Sequence, residues 1–158
     1  MAQRHNGIII TGMDNIQEDQ WGHDPNQILL PRIISCTGIV VVTLHGLAGI
    51  HVTEYTPADQ VATLCQLAAA HLGGNAVGVA FIGFINFKTP QFDHPGTKNW
   101  LPQTKEIVAL LNLPAGTPRS AYVMGAESDL RVTRGAAGAL TYALSNGGGW
   151  NQFHCLAI

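Results

Sequence analysis

The chain has 158 residues, a length that suits one domain with a sizeable core. Apolar residues make up 46% and charged residues only 11%, against about a quarter charged in ordinary soluble domains, so neutral polar side chains, glycine or a covering partner must keep the surface soluble. A formal charge of −2 with no basic block excludes phosphate-backbone binding, and no apolar run is long enough for a membrane-spanning helix.

The first strand candidate is 7–11, the run GIIIT. Residues 13–31 are polar around Trp21, His23 and Pro25 and read as loop, so 1–31 is expected to form an irregular N-terminal cover. Residues 33–42 are dense in β-branched side chains, and 47–55 come after His45-Gly46, which predicts a β-hairpin. The clearest helix comes next. Thr56 is a good N-cap, Pro57 suits the first helical position and Asp59 adds negative charge to the first turn. Val61, Leu64, Cys65, Ala68 and Leu72 then recur at helical spacing until Gly73-Gly74.

Residues 76–85 (AVGVAFIGFI) predict a buried strand, and 86–100, with Pro90 and Pro95, a loop. A helix is expected at 103–111, a strand at 120–124, a third helix at 136–144 and a last strand at 152–157. A hairpin followed by helix–strand alternation implies an α+β fold, an α/β sandwich whose mixed, largely antiparallel sheet is flanked by helices. With no internal repeat or linker, 1–158 is expected to be one catalytic domain.

Chemistry concentrates in ISCTGIVVVTLHGLAGIHVTE, residues 34–54. Cys36 and His51 fall on the two arms of the predicted hairpin. Because side chains alternate along a strand, any loop with an even number of residues puts both on one face. A two-residue turn at His45-Gly46 would pair His51 with Val40, roughly 13 Å along the strand from Cys36. A wider loop would set the two opposite each other, about 5 Å apart at Cβ. Alternatively, Gly38 could break the arm so that 35–37 forms a turn. A free thiol has a pKa of about 8.5, and an imidazole within reach converts it to thiolate near neutrality. The same histidine, once protonated, can supply the proton that leaving ammonia needs. Backbone N–H groups of Cys36 and Thr37 are the natural oxyanion donors.

Ser35-Cys36-Thr37, followed by Ile39-Val40, a glycine-containing turn and His51 fifteen positions after the cysteine, resembles the catalytic segment of the cytotoxic necrotizing factor toxins. Those toxins group with the chemoreceptor glutamine deamidases and other bacterial deamidating effectors. The resemblance implies a shared α/β sandwich, with Cys36 as nucleophile and His51 as base. It further implies deamidation of an exposed glutamine on a protein substrate, with no cofactor and no metal. The toxins have glycine where this chain has Ser35, and the chemoreceptor enzymes a threonine where it has Leu30, so the group that orients His51 is unassigned. Thr53 shares the face of His51 and is the first candidate, with Asn26, Gln27 and His23 as others.

Cys65 lies in an apolar helical stripe and Cys155 near the C-terminus, and both are assigned to structure. Trp21, Trp100 and Trp150 are expected in loops covering the sheet ends. Three cysteines without a CxxC pair argue against a disulfide framework and for a reducing compartment. Residues 1–15 lack the apolar core of a signal peptide, so the expected location is cytoplasmic, or reached by a signal-independent route as a secreted or injected effector. Cys36, His51, His154 and Cys155 also allow a zinc reading, but no pair has ligand spacing. Two further alternatives are a papain-like cell-wall peptidase or amidase, which needs a helix after the cysteine and could use His94, and a non-enzymatic binding module. The element after Cys36 discriminates the first: strand supports a deamidase, helix a peptidase.

Overall fold

The structure, a computed structural model, describes residues 9–11, 16, 20–34, 36–53, 56, 58–84 and 100–158. The elements run β1 (Ile9–Thr11), β2 (Gln20–Asp24), β3 (Gln27–Ile33), β4 (Thr37–Thr43), β5 (Gly46–Val52), α1 (Ala58–His71), β6 (Gly78–Phe84), α2 (Trp100–Leu111) and β7 (Arg119–Met124). They continue with β8 (Ser128–Arg134), β9 (Leu140–Ser145), β10 (Asn151–Phe153) and β11 (Leu156–Ala157). Among the described residues, seven strands form a central sheet in the order β1-β2-β5-β4-β6-β7-β11, and four form a second sheet in the order β10-β9-β8-β3. β1 pairs in parallel with β2, and β6 with β7; the other pairs are antiparallel. The class is α+β, with a mixed and largely antiparallel central sheet, as expected. Among the described residues, however, helices cover one of its faces and the second sheet covers the other.

That layering explains the β-branched run. Ile39, Val41, Ile50 and Phe81 pack with α1 and α2 in one core, while Val40, Val42, Leu47 and Ile82 pack with Ile28, Leu30, Leu130 and Val132 in another. Both faces of β4 and β5 are therefore buried, and neither needs the polar alternation of a half-exposed strand. In α1 the predicted stripe of Val61, Leu64, Cys65 and Ala68 is buried, and Gly73 comes after it at positive φ.

The N-terminal third departs from an irregular cover. Its described part supplies β1, β2 and β3, and Trp21 lies within β2. Pro31 sits in β3, an edge strand of the second sheet, beside a bulge where Leu30 pairs with Leu130 and Ile33 with Ser128. Proline is tolerated in such a place because no ladder hydrogen bond depends on its nitrogen. Arg32 takes φ 55 there, and its N–H donates to Asp129 Oδ1 at 2.8 Å. The extra residue reverses the strand's alternation, so Ile28, Leu30 and Ile33 all point into the core.

The expected helix at 136–144 is instead a 3-10 turn, Ala136–Gly138, followed by β9. Alanine favours helix only weakly. Leu140, Tyr142 and Leu144 face the core at period two, and β9 pairs along its length with β8. Trp100 opens α2, and Trp150 lies outside the strands with Arg131 stacked over its ring at 4.4 Å. The expected loop at 86–100 lies, but for Trp100, outside the described residues. Among the described residues no helix is long and apolar enough to cross a membrane.

Candidate active site

After Ile33 the chain leaves the second sheet, bends through Ile34 and Cys36, and enters the central sheet at Thr37. The cysteine is thus succeeded by a strand, and the papain-like arrangement is set aside on that ground; His94 lies outside the described residues. The β4–β5 turn is Leu44-His45, one residue earlier than His45-Gly46. Thr43 braces it, its Oγ1 accepting the His45 N–H at 3.1 Å, and Arg134 Nη2 donates to the Thr43 carbonyl at 2.8 Å. This small shift sets the register. Thr43 pairs with Gly46 and Gly38 with His51.

Cys36 and Gly38 have the same parity, and Cys36 packs in the core between the sheets. On β5, Leu47 and Gly49 face that core, so His51 does as well. Cys36 is then a same-face, diagonal neighbour of His51, a relation that spans about 7–8 Å between Cα atoms in a regular pair. Both lie towards the hairpin's open end, where the C-terminal ends of β6 and β7 also lie. Both are buried, Cys36 at 4% exposure and His51 at 1%.

The histidine is held by a group not foreseen from sequence. His51 Nδ1 lies 3.0 Å from the Ile16 carbonyl oxygen. A carbonyl only accepts, so in the neutral ring Nδ1 carries the proton and Nε2 carries the lone pair. Nε2 is buried, and it is the nitrogen that can act as a base. Ile16 is itself tethered, its N–H donating to the Leu29 carbonyl at 2.7 Å. Gln20, half-buried, pairs with His51 from β2 and shares its face.

Thr53, the first side chain considered for orienting His51, is the second residue after it. Thr53 Oγ1 pairs with Thr56 Oγ1 at 3.4 Å. His23 faces α1, on the other side of the central sheet. Asn26 and Gln27 lie near the opposite, turn end of the hairpin, where Asp24 pairs with Leu47 and the Gln27 side chain accepts from Thr133 at 3.3 Å. No side-chain signal could have pointed to a main-chain oxygen at position 16.

Gly49 makes room for this arrangement. A Cβ there would lie 2.7 Å from Ile16 Cδ1 and 3.0 Å from both Ile28 Cδ1 and Leu30 Cδ1. The three tips are side-chain ends, but each belongs to a fully buried residue and can give way only by disturbing its own packing. Gly49→Ala is expected to cost about 1–3 kcal/mol by overpacking and to push Ile16 away from His51. Urea unfolding checks the first effect, and an unchanged midpoint would contradict the packing described.

The other two thiols lie elsewhere. Burial pushes Cys65 up to about 12, and it stays a packing residue of α1. Burial likewise raises Cys155 to about 11, against a hydrogen bond with Ser120. Cys155 and His154 belong to the link between β10 and β11, with β6 and β7 between them and β4, so the four-residue zinc set does not assemble. A cavity of about 330 Å³, lined by Cys65, Ala69, Val79 and Leu111, opens between the helices on the far side of the central sheet and is no part of this site.

No protein-family model matches the chain, and no curated protein matches it. Among solved structures it is similar to the crystal structure of the C-terminal domain of CNFy from Yersinia pseudotuberculosis, with TM-score 0.37 and 8% identity over 95% of this chain. The chain spans 61% of that chain's length. At that level of likeness, any assignment must come from the chain's own residues.

Proposed function

We propose that the protein is a cysteine-dependent glutamine deamidase acting on an exposed glutamine of a protein substrate, with Cys36 as nucleophile and His51 as base. The supporting observation is the β4–β5 register, which puts thiol and imidazole on one face at the corner between the sheets, with Nδ1 tied to the Ile16 carbonyl. His51 Nε2 takes the Cys36 proton, and the thiolate attacks the carboxamide carbon. The oxyanion is met by backbone N–H groups of Cys36 and Thr37. Protonated His51 then gives its proton to the departing nitrogen, and ammonia leaves a thioester. Water, activated by the same Nε2, opens the thioester to glutamate and restores the thiol.

Burial shapes this chemistry. Exclusion of water strengthens the electrostatic pull between thiolate and imidazolium. It also means that a glutamine side chain enters only when the cover at this end gives way.

Ammonia release, with the matching 1 Da gain on the substrate protein, tests the proposal directly. Candidate substrates are incubated with wild type and with Cys36→Ala. The variant should fold normally and lose the activity; full activity in the variant would end the proposal. A second reading is favoured by the same 4% exposure of Cys36, namely a binding module in which that thiol is only a small packing group. Thiol labelling separates the two. A catalytic Cys36 reacts faster than Cys65 and Cys155, whereas equal and slow labelling of all three supports the module.

A further inference from the structure

His23 and His71 are remote in sequence, yet their ring centroids lie 4.6 Å apart with planes tilted by 52°. His23 belongs to β2, on its helix-facing side with Trp21, and His71 to the last turn of α1. The Trp21 ring packs edge-on against His71 at 5.8 Å and lies 6.5 Å from His23. Two polar atoms of this cluster, His23 Nε2 and Trp21 Nε1, are buried with no hydrogen-bond partner. Trp21 Nε1 can only donate, but an imidazole nitrogen can also accept or bind an ion, and buried polar atoms are nearly always satisfied, so the His23 orphan calls for a missing participant.

We propose that His23 and His71 form a two-imidazole site for a borderline divalent transition-metal ion such as zinc, fastening β2 to the C-terminal end of α1. Imidazole suits zinc, copper and nickel, and two rings bound to one ion at about 2.0–2.1 Å are brought close together as these are. The Asp24 carboxylate is occupied as a turn cap, its Oδ2 accepting the N–H groups of Asn26 and Gln27 at 2.8 Å each. Among the described residues no group of three ligating side chains gathers. Water therefore completes the shell, and the ion exchanges through exposed His71 rather than being locked in as a structural centre. The site lies across the central sheet from Cys36 and His51, so it stands or falls independently of the deamidase proposal.

The full chain, stripped with EDTA and titrated with zinc sulfate, provides the test by calorimetry and thermal unfolding. One equivalent of zinc should bind, and Tm should rise by about 5 °C at zinc concentrations well above Kd. His71→Gln, on an exposed position, should weaken binding at least about 10-fold, as should His23→Gln. His45→Gln, in the exposed β4–β5 turn, should leave it unchanged. Absence of binding, or binding that survives in His71→Gln, overturns the site. If His23→Gln fails to fold, the His71→Gln result still decides.

Discussion

His51→Asn should fold like the wild type and lose deamidation by about 10³-fold or more. The asparagine amide nitrogen occupies nearly the position of imidazole Nδ1, so it can still donate to the Ile16 carbonyl, which His51 contacts at 3.0 Å. It lacks the second nitrogen, the one with the lone pair. His51→Ala removes both roles. It should lose the same activity and also about 1–3 kcal/mol of stability, because a buried carbonyl is left unpaired. Comparing ammonia release and urea midpoints of the two variants separates base from support. Retained activity in His51→Asn would show that Nε2 takes no proton, and the mechanism would fail with it.

Above about pH 9 the protein should lose stability steeply, with Cys65 a principal cause. Burial disfavours the thiolate and pushes the thiol up to about 12 in the folded state, well above an ordinary thiol. A folded-state pKa raised in this way gives stability that is fully present below the unfolded value and lost as pH climbs toward the folded one. At about 1.4 kcal/mol for each tenfold change in proton affinity, that difference makes about 4 kcal/mol, a large share of the roughly 5–15 kcal/mol that holds a typical domain together. Tyr142, also raised by burial, adds to the same trend. Denaturation at about pH 8 and about pH 11 should show a clearly smaller drop for Cys65→Ala than for wild type. Equal drops would mean that the thiol is not buried as described.

The elements legible from sequence rest on short-range rules. The stripe of Val61, Leu64, Cys65 and Ala68 gave α1, and the β-branched 39–42 run gave β4, because each pattern needs only its own residues. The shared face of Cys36 and His51 came from parity alone. Their separation did not. It depended on whether the turn took Leu44-His45 or His45-Gly46, and that choice rests on Thr43 and on Arg134 reaching across from β8. The second sheet was harder to see. In β8, Leu130 and Val132 alternate with Asp129, Arg131 and Thr133, a period-two signal that is short and set among polar residues. In β9, alanine-rich composition suggested helix, and pairing with β8 overrides it. The β3 bulge, with Arg32 in a left-handed conformation, has no local signature, since glycine or asparagine is the usual occupant.

The oxygen that steers His51 belongs to the main chain, and this has a consequence for anyone mapping the site by mutagenesis. Every amino acid carries that carbonyl, so swapping Ile16 for any other leaves the acceptor in the molecule. A systematic scan would score position 16 by the bulk it packs, and would pass over the atom that matters.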